Sequence, residues 1–291
     1  MSDFVDYRAE FSAYEADYPM REVQLDGGSF RCIVAGSESA AHTLVFLNGG
    51  MNSYEMWLRY VKDLSRDYRV LSFDYPEAYE TDQALLDGMH ELFAKLSISR
   101  AVLVGASMGG IIAQLYAHKY PQDVEAMCLM STAGLTAGAM KKFGKLLGLL
   151  GIEIWLMKTF PYSWFIKSEK KTCAGYVSEA EDDARAYFTD MFDHIYESYT
   201  REKDIHVVKL MKDFKNQQVC TKEDYAFLAG KVLLLLPEDD SAFPPELQKE
   251  LVEEMTDPVV VPGIKGGHLT TEINYKEFIG HIRAFLLERL G

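Results

Sequence analysis

The sequence predicts an α/β fold, in which a mostly parallel sheet of about eight strands is flanked by helices and interrupted by an inserted helical cap. Short apolar runs alternate with stretches of helical periodicity. The runs are too apolar to keep one face in water, which is typical of parallel strands covered on both sides. An interruption of roughly 95 residues then breaks the alternation, far longer than an ordinary connection within such a fold.

The first half of the chain supplies most of the predicted sheet. Residues 21–25 and 29–35 flank Asp26-Gly27-Gly28, a turn signal that predicts an antiparallel hairpin. The alternation that follows contains predicted strands at 43–47, 69–73 and 101–104 and predicted helices at 53–65, 81–96 and 108–119. We therefore expect an antiparallel pair at the start of the sheet and parallel strands after it.

The long interruption predicts a second structural unit. A predicted strand at 125–130 precedes it, and predicted strands at 231–236 and 258–261 and helices at 244–255 and 271–290 follow it. We expect residues 1–132 and 231–291 to form the core and residues 133–230 to form a helical cap. Within the cap, the apolar run 143–160 contains three charged residues, whereas a spanning helix needs ~20 predominantly apolar residues. The run is expected to pack on the core or to lie at a membrane interface, not to span a bilayer.

The composition narrows the class of protein. Hydrophobic residues make up 48% of the chain and charged residues 25%, as in a folded domain with a substantial core. The net charge of −14 predicts repulsion from nucleic acid and from anionic membranes. The four cysteines are widely spaced and form no metal-ligand pattern, so no metal or other cofactor is expected. The first 16 residues lack the apolar segment of a secretory signal, which predicts a cytoplasmic location; a homodimer is left open.

One short motif carries a chemical prediction. Gly105-Ala106-Ser107-Met108-Gly109 lies directly between a predicted strand and a predicted helix. A G-x-S-x-G motif in this setting predicts a tight turn that lifts the serine hydroxyl above the sheet edge and places it at a helix N-terminus. Alone, a cluster of glycines around a serine is equally typical of an ordinary turn.

Three further features accompany the motif, and with them the chain resembles the α/β-hydrolase superfamily over nearly its whole length except the cap. The first is Asn48-Gly49-Gly50, which follows a predicted strand at a place where relatives usually carry His-Gly. The resemblance implies that the backbone N–H groups of Gly50 and Met108 form an oxyanion hole. Replacement of the usual histidine by Asn48 is expected to cost little, because the hole uses backbone donors.

The other two features concern an acid and a base. Asp239 and Asp240 follow the strand predicted at 231–236, and the resemblance implies that one of them orients a catalytic histidine. The spacing to Pro244 favours Asp240, with Asp239 as its competitor. His268 follows two glycines late in the chain, where the order Ser, Asp, His of this fold places the general base.

The resemblance thus implies a serine hydrolase that cleaves carboxylic esters through a Ser107-His268-Asp240 triad and an acyl-enzyme. Its substrate is expected to be a small molecule with an apolar acyl or alcohol portion.

The first half of the cap, rich in aromatic residues and methionine, predicts a pocket wall that includes Trp155, Phe160 and Trp164, although packing onto the core explains such residues as well. Four alternatives stay open: an aminopeptidase of the proline-iminopeptidase kind, with the acidic stretch 179–183 holding the amine; a cofactor-free haloperoxidase; a carbon–carbon bond hydrolase; and a slow-turnover receptor for a small molecule.

Overall fold

A mixed sheet of eight strands forms the centre of the protein, in a computed structural model that describes residues 4–291. The strand order is β1-β2-β4-β3-β5-β6-β7-β8; β1 and β2 pair antiparallel, β2 and β4 pair antiparallel, and all other neighbours are parallel. The strands are β1 (Arg21–Leu25), β2 (Gly28–Ala35), β3 (Thr43–Leu47), β4 (Arg69–Phe73), β5 (Ala101–Ala106), β6 (Val124–Met130), β7 (Val232–Leu235) and β8 (Val259–Val260). The predicted fold class, including the opening antiparallel pair, is confirmed.

Helices cover both faces of this sheet. They are α1 (Tyr7–Asp17), α2 (Leu58–Leu64), α3 (Asp82–Lys95), α4 (Met108–Lys119), α5 (Ala137–Thr159), α6 (Tyr162–Tyr176), α7 (Asp182–Glu197), α8 (Arg201–Asp213), α9 (Pro245–Glu254), α10 (Thr270–Ile273) and α11 (Tyr275–Arg289). Alternate residues of β3 serve opposite faces, as expected for a strand. Val45 and Leu47 pack with the cluster that includes α3 and α4, and Leu44 and Phe46 pack with the cluster that includes α2 and α11.

Four helices, α5 to α8, lie between β6 and β7, within the stretch predicted to form a cap. Helix α5 packs along α8, and α7 packs against the N-terminal helix α1. The division of the chain into core and cap at residues 132 and 230 stays a prediction. No helix of the described chain combines the length and apolarity needed to cross a bilayer, so α5 does not span one.

Two features of the fold differ from the sequence prediction. Helix α1 was not predicted, yet Tyr7, Phe11 and Tyr14 recur at helical spacing and are buried, and Asp6 caps its first turn by accepting the N–H of Ala9. The final helix, predicted as one segment, is two, because the chain turns at residue 274 between α10 and α11. Both differences lie at the ends of the chain, away from the centre of the sheet.

Candidate active site

Ser107 occupies the turn between β5 and α4 in a strained conformation, with φ 54° and ψ −122°. The glycines of the motif make this turn sterically feasible. A Cβ on Gly105 would lie 2.4 Å from the carbonyl oxygen of Gly109, and a Cβ on Gly109 would lie 2.0 Å from the carbonyl oxygen of Leu47. The hydroxyl of Thr132 donates to the Ser107 carbonyl at 2.7 Å. Because the turn is held from both sides, the serine side chain keeps one direction.

The structure brings Ser107, His268 and Asp240 into one hydrogen-bonded chain. His268 Nε2 lies 3.2 Å from Ser107 Oγ, and His268 Nδ1 lies 2.9 Å from Asp240 Oδ2 and 3.1 Å from Asp240 Oδ1. Asp240 is buried, and its other oxygen, Oδ1, also accepts the backbone N–H groups of Ala242 at 2.8 Å and Phe243 at 3.2 Å. A carboxylate can only accept, so Nδ1 must carry the proton and Nε2 is left to accept from the serine hydroxyl. The arrangement has the geometry required for proton removal from Ser107.

Asp239, the competitor in the sequence prediction, points elsewhere. Its carboxylate accepts the backbone N–H of Gly266 at 3.1 Å and that of Gly267 at 3.0 Å. Burial alone would raise the pKa of Asp239, but these hydrogen bonds outweigh it and the pKa is lowered. Both glycines have positive φ, at 112° and 68°, which only glycine adopts readily. Asp239 therefore fixes the turn that delivers His268, a role that sequence reasoning missed.

The two candidate oxyanion donors lie beside the serine. Gly50 lines the same cavity as Ser107, and the neighbouring Gly49 is so close that a Cβ on it would lie 3.4 Å from the Ser107 Cβ. Met108 is the first residue of α4, where backbone N–H groups have no acceptor within the helix. The structure thus places both residues at the cavity wall next to Ser107, and their role as donors stays a prediction.

Asn48 organises the loop that contains these glycines. Its side-chain nitrogen donates to the carbonyl of Phe73 at 2.7 Å and to Asn52 Oδ1 at 3.3 Å, and its oxygen accepts the indole N–H of Trp57 at 2.9 Å. Asn52 in turn pairs with the backbone N–H and carbonyl of Tyr75, at 2.7 and 3.0 Å. Both the nitrogen and the oxygen of the Asn48 side-chain amide are hydrogen-bonded, so this side chain connects the loop after β3 to the end of β4. Asn48, at the place where relatives usually carry histidine, thus has a structural role in this loop.

A cavity of about 640 Å³ lies next to Ser107, and residues of α5, α6 and α8 form much of its wall. Helix α5 contributes apolar side chains to one wall, and α8 with the turn after it contributes another; they are Met140, Phe143, Leu147, Leu150, Val207, Val208, Met211 and Phe214. Tyr176 and Phe243 flank the His268 ring, with centroid distances of 5.3 and 5.6 Å. The space next to the serine is therefore mainly apolar and suited to a hydrocarbon portion of a ligand.

The predicted pocket residues Trp155, Phe160 and Trp164 lie outside the cavity. The ring of Phe160 contacts both tryptophans, and the three side chains have exposed fractions of 59%, 38% and 62%. The reason is helical geometry, because α5 turns Leu150 and Met157 inward and Trp155 outward. The aromatic content of the sequence indicated which segment lies at the cavity, but it did not indicate which face of the helix is buried.

Four acidic side chains that sequence reasoning did not select line the cavity. They are Glu153 on α5, Glu169 on α6, Asp204 on α8 and Glu272 on α10. Burial, together with the charges of Asp204 and Glu153, raises the pKa of Glu169 to about 7, and burial raises the pKa of Asp204 to about 6 against an opposing hydrogen bond from Tyr162. Burial also raises the pKa of Glu153. Glu153 interrupts an otherwise apolar helical run, a signal that could have identified it.

A group of potential metal ligands lies outside the cavity. The ligand atoms of His118, Cys220 and Asp224 fall within 4.8 Å of one another. Asp224 already accepts the backbone N–H of Thr221 at 2.8 Å and its hydroxyl at 3.0 Å, so its carboxylate is satisfied by the protein. None of these three residues lines the cavity next to Ser107.

Comparison with known proteins gives the same fold. The family described as "Alpha/beta hydrolase family" matches residues 44–278. A monoacylglycerol lipase from Homo sapiens is 31% identical over 112 residues, which are 35% of this chain and 33% of the lipase, so the chain covers only a third of that protein. A proline iminopeptidase from Pestalotiopsis fici is 24% identical over 255 residues, covering 81% of this chain and 88% of that protein. The solved structure of an enol-lactonase from Burkholderia xenovorans superposes with a TM-score of 0.72 at 19% identity, covering 92% of this chain and 100% of the other.

Proposed function

The chain belongs to the alpha/beta hydrolase family, and from this premise we propose that it is a serine hydrolase that cleaves carboxylic esters with an apolar acyl or alcohol portion. One observation carries the proposal: the hydrogen-bonded chain of Ser107, His268 and Asp240 ends at a cavity with mainly apolar walls. The similarity to a lipase over part of the chain supports ester chemistry.

In the proposed mechanism, His268 Nε2 takes the proton of Ser107 as the serine oxygen attacks the ester carbonyl carbon. The backbone N–H groups of Gly50 and Met108 stabilise the negative charge that develops on the carbonyl oxygen. His268 then gives its proton to the departing alcohol, which leaves an acyl group on Ser107. Water attacks this acyl-enzyme while His268 accepts a proton from it, and the products are the carboxylic acid and free serine.

Asp240 contributes by position and charge. It holds the Nδ1–H tautomer of His268, and its negative charge stabilises the imidazolium that forms in each half of the reaction. Since Asp240 is fully enclosed and bonded to two further N–H groups, its carboxylate is held in place before substrate arrives.

The decisive experiment compares wild type with Ser107→Ala. The variant is expected to lose hydrolysis of a medium-chain chromogenic ester and labelling by a fluorophosphonate. Ser241 also lines the cavity, but the described hydrogen bonds of the His268 imidazole go to Asp240 and Ser107 and not to Ser241. It supplies the matched control, and Ser241→Ala should retain both activities. Unchanged turnover in Ser107→Ala would refute the proposal.

A second candidate is an aminopeptidase of the proline-iminopeptidase kind, which would need an acidic site for a free amine. The stretch 179–183, chosen for this purpose from the sequence, does not line the cavity, whereas Glu153, Glu169 and Asp204 do. Burial raises the pKa of each of these three carboxyl groups above its ordinary value, and a bound ammonium group would shift the pKa values back down by favouring the ionised form.

A substrate panel separates the two candidates. Wild type and Glu169→Gln are assayed with proline arylamide and with an apolar ester. Loss of arylamide turnover in the variant, with ester turnover kept, would support the peptidase. Absence of arylamide turnover in wild type would exclude it.

A further inference from the structure

The outside of the cap exposes an unusual concentration of apolar side chains. Eleven large apolar residues of the described chain are exposed, and six of them lie between residues 146 and 164. We call these six the cap patch: Leu146, Leu149, Ile152, Trp155, Phe160 and Trp164. The first four recur at every third position of α5, and each is more than half exposed. Clustered exposure of this kind is typical of a surface that meets another apolar phase.

Charge around the cap patch has the opposite sign to the rest of the protein. Residues 137–176, which form α5 and α6, contain seven lysines and two glutamates, a net charge of +5, so the remaining residues carry −19. Five of the lysines are exposed and form no ion pair with another described residue: Lys141, Lys142, Lys158, Lys167 and Lys171. The two glutamates, Glu153 and Glu169, line the cavity instead. The repulsion from anionic membranes predicted from the net charge therefore does not apply to this surface.

The cap patch is also continuous with the candidate active site. Leu146 belongs to the patch and lines the cavity at the same time. Leu147 and Leu150, its neighbours on α5, extend the apolar surface inward toward Ser107. Helix α5 therefore contributes to the cap patch and to the cavity wall through adjoining apolar side chains.

We propose that the cap patch docks on the surface of a lipid bilayer that contains anionic headgroups, with Trp155, Trp164 and the exposed leucines inserted among the acyl chains and the lysines at the headgroup level. Apolar side chains with tryptophan on one face and lysine at the border are the pattern of an interfacial helix. A second copy of this chain fits less well, because a twofold dimer through the patch would oppose the same lysines. Nucleic acid offers no partner for the six apolar side chains.

Binding to vesicles tests this proposal without relying on catalysis. The full chain is mixed with vesicles of phosphatidylcholine alone and with vesicles of phosphatidylcholine and phosphatidylserine in equal amounts. Binding is measured by cosedimentation and by tryptophan emission. Trp57 is buried, so a shift of emission to shorter wavelength reports Trp155 and Trp164 leaving water. We expect binding to the mixed vesicles, the emission shift, and weakening of both as salt concentration rises.

Paired variants assign the binding to the patch. Trp155→Ala should weaken partition into mixed vesicles by about ten-fold, and Lys158→Gln by roughly five-fold. Leu287→Ala and Lys249→Gln are the matched controls, since both side chains are at least 70% exposed on helices outside the cap, and both should bind as wild type does.

Three results would overturn the proposal. They are no binding to mixed vesicles, equal losses in patch and control variants, and concentration-dependent self-association without lipid that Trp155→Ala abolishes. The last result would assign the patch to a dimer interface. Circular dichroism of each variant verifies that a loss of binding is not a loss of fold.

Discussion

Replacement of each of the two adjacent aspartates by asparagine separates their roles. In Asp240→Asn the side-chain oxygen would keep the backbone N–H groups of Ala242 and Phe243, which now bond Oδ1 at 2.8 and 3.2 Å. The new amide nitrogen would then face His268 Nδ1, at the place of an oxygen that is now 2.9 Å away. The remaining oxygen is also 3.1 Å from Nδ1, but it already accepts two backbone N–H groups; the nearer amide nitrogen would therefore donate to Nδ1, and the proton would move to Nε2.

This tautomer cannot accept the proton of Ser107. Loss of the correct tautomer and of the charge that stabilises the imidazolium lowers kcat by about 10⁴-fold in triads of this kind, or about 5.4 kcal/mol in activation free energy. Asp239→Asn changes only the turn at Gly266 and Gly267, where two charge-assisted hydrogen bonds become neutral ones. We expect it to cost about 1 kcal/mol of unfolding free energy and less than about ten-fold in kcat.

The assay is kcat for an apolar chromogenic ester at neutral pH, measured with the melting temperature of each variant. Asp240→Asn should melt close to wild type, because the substitution is isosteric and keeps two hydrogen bonds. If Asp239→Asn lost four orders of magnitude and Asp240→Asn did not, the assignment of the acid would be reversed. Equal small losses would show that the hydrogen-bonded chain is not used.

Three other perturbations address the turn, the loop and the cavity. Gly109→Ala places a Cβ 2.0 Å from the Leu47 carbonyl oxygen and should lower the unfolding free energy by more than about 3 kcal/mol in urea titration. Its control, Gly144→Ala, lies in open space on α5 and should raise the unfolding free energy by up to about 1 kcal/mol. Equal effects of the two variants would contradict the steric argument. Asn48→Ala leaves the buried indole N–H of Trp57 and the buried carbonyl of Phe73 without partners. It should therefore cost about 2–5 kcal/mol of unfolding free energy and lower kcat more than it raises KM. An unchanged melting temperature would show that these hydrogen bonds are dispensable. Glu169 has a folded-state pKa raised to about 7 from 4.5, so wild type should lose stability as pH rises between these values, and unfolding titrations of Glu169→Gln across this interval should show a flatter dependence.

The centre of the sheet was predictable because strands β3 to β7 are buried on both faces. Strands β3 and β4 coincide with their predicted bounds at residues 43–47 and 69–73, since continuous apolar runs bounded by turn residues leave little choice. The candidate site residues follow strand ends, and parallel strands bring such ends to one edge. The structure accordingly places Ser107, Gly50, Asp240 and His268 together, although nothing in composition alone joins residues so far apart in the chain.

The region predicted to form a cap was less predictable, for a physical reason. Helix α5 has apolar residues toward the cavity and also toward solvent, so its periodicity does not say which face is buried. For this reason Trp155 was assigned to the pocket and Glu153 was not selected. The role of Asp239 in the turn before His268 was missed because its partners are backbone N–H groups, which leave no signature in the sequence.

Residues 137–176 carry a net charge of +5 and the rest of the chain a net charge of −19. If the protein approaches a negatively charged bilayer as proposed, the surface would attract α5 and α6 and repel the rest of the molecule, so α5 and α6 would turn toward it before any contact forms. Leu146 of α5 borders the cavity, so the same rotation would bring this part of the cavity wall toward the bilayer, over distances of about one Debye length, ~8 Å at physiological ionic strength.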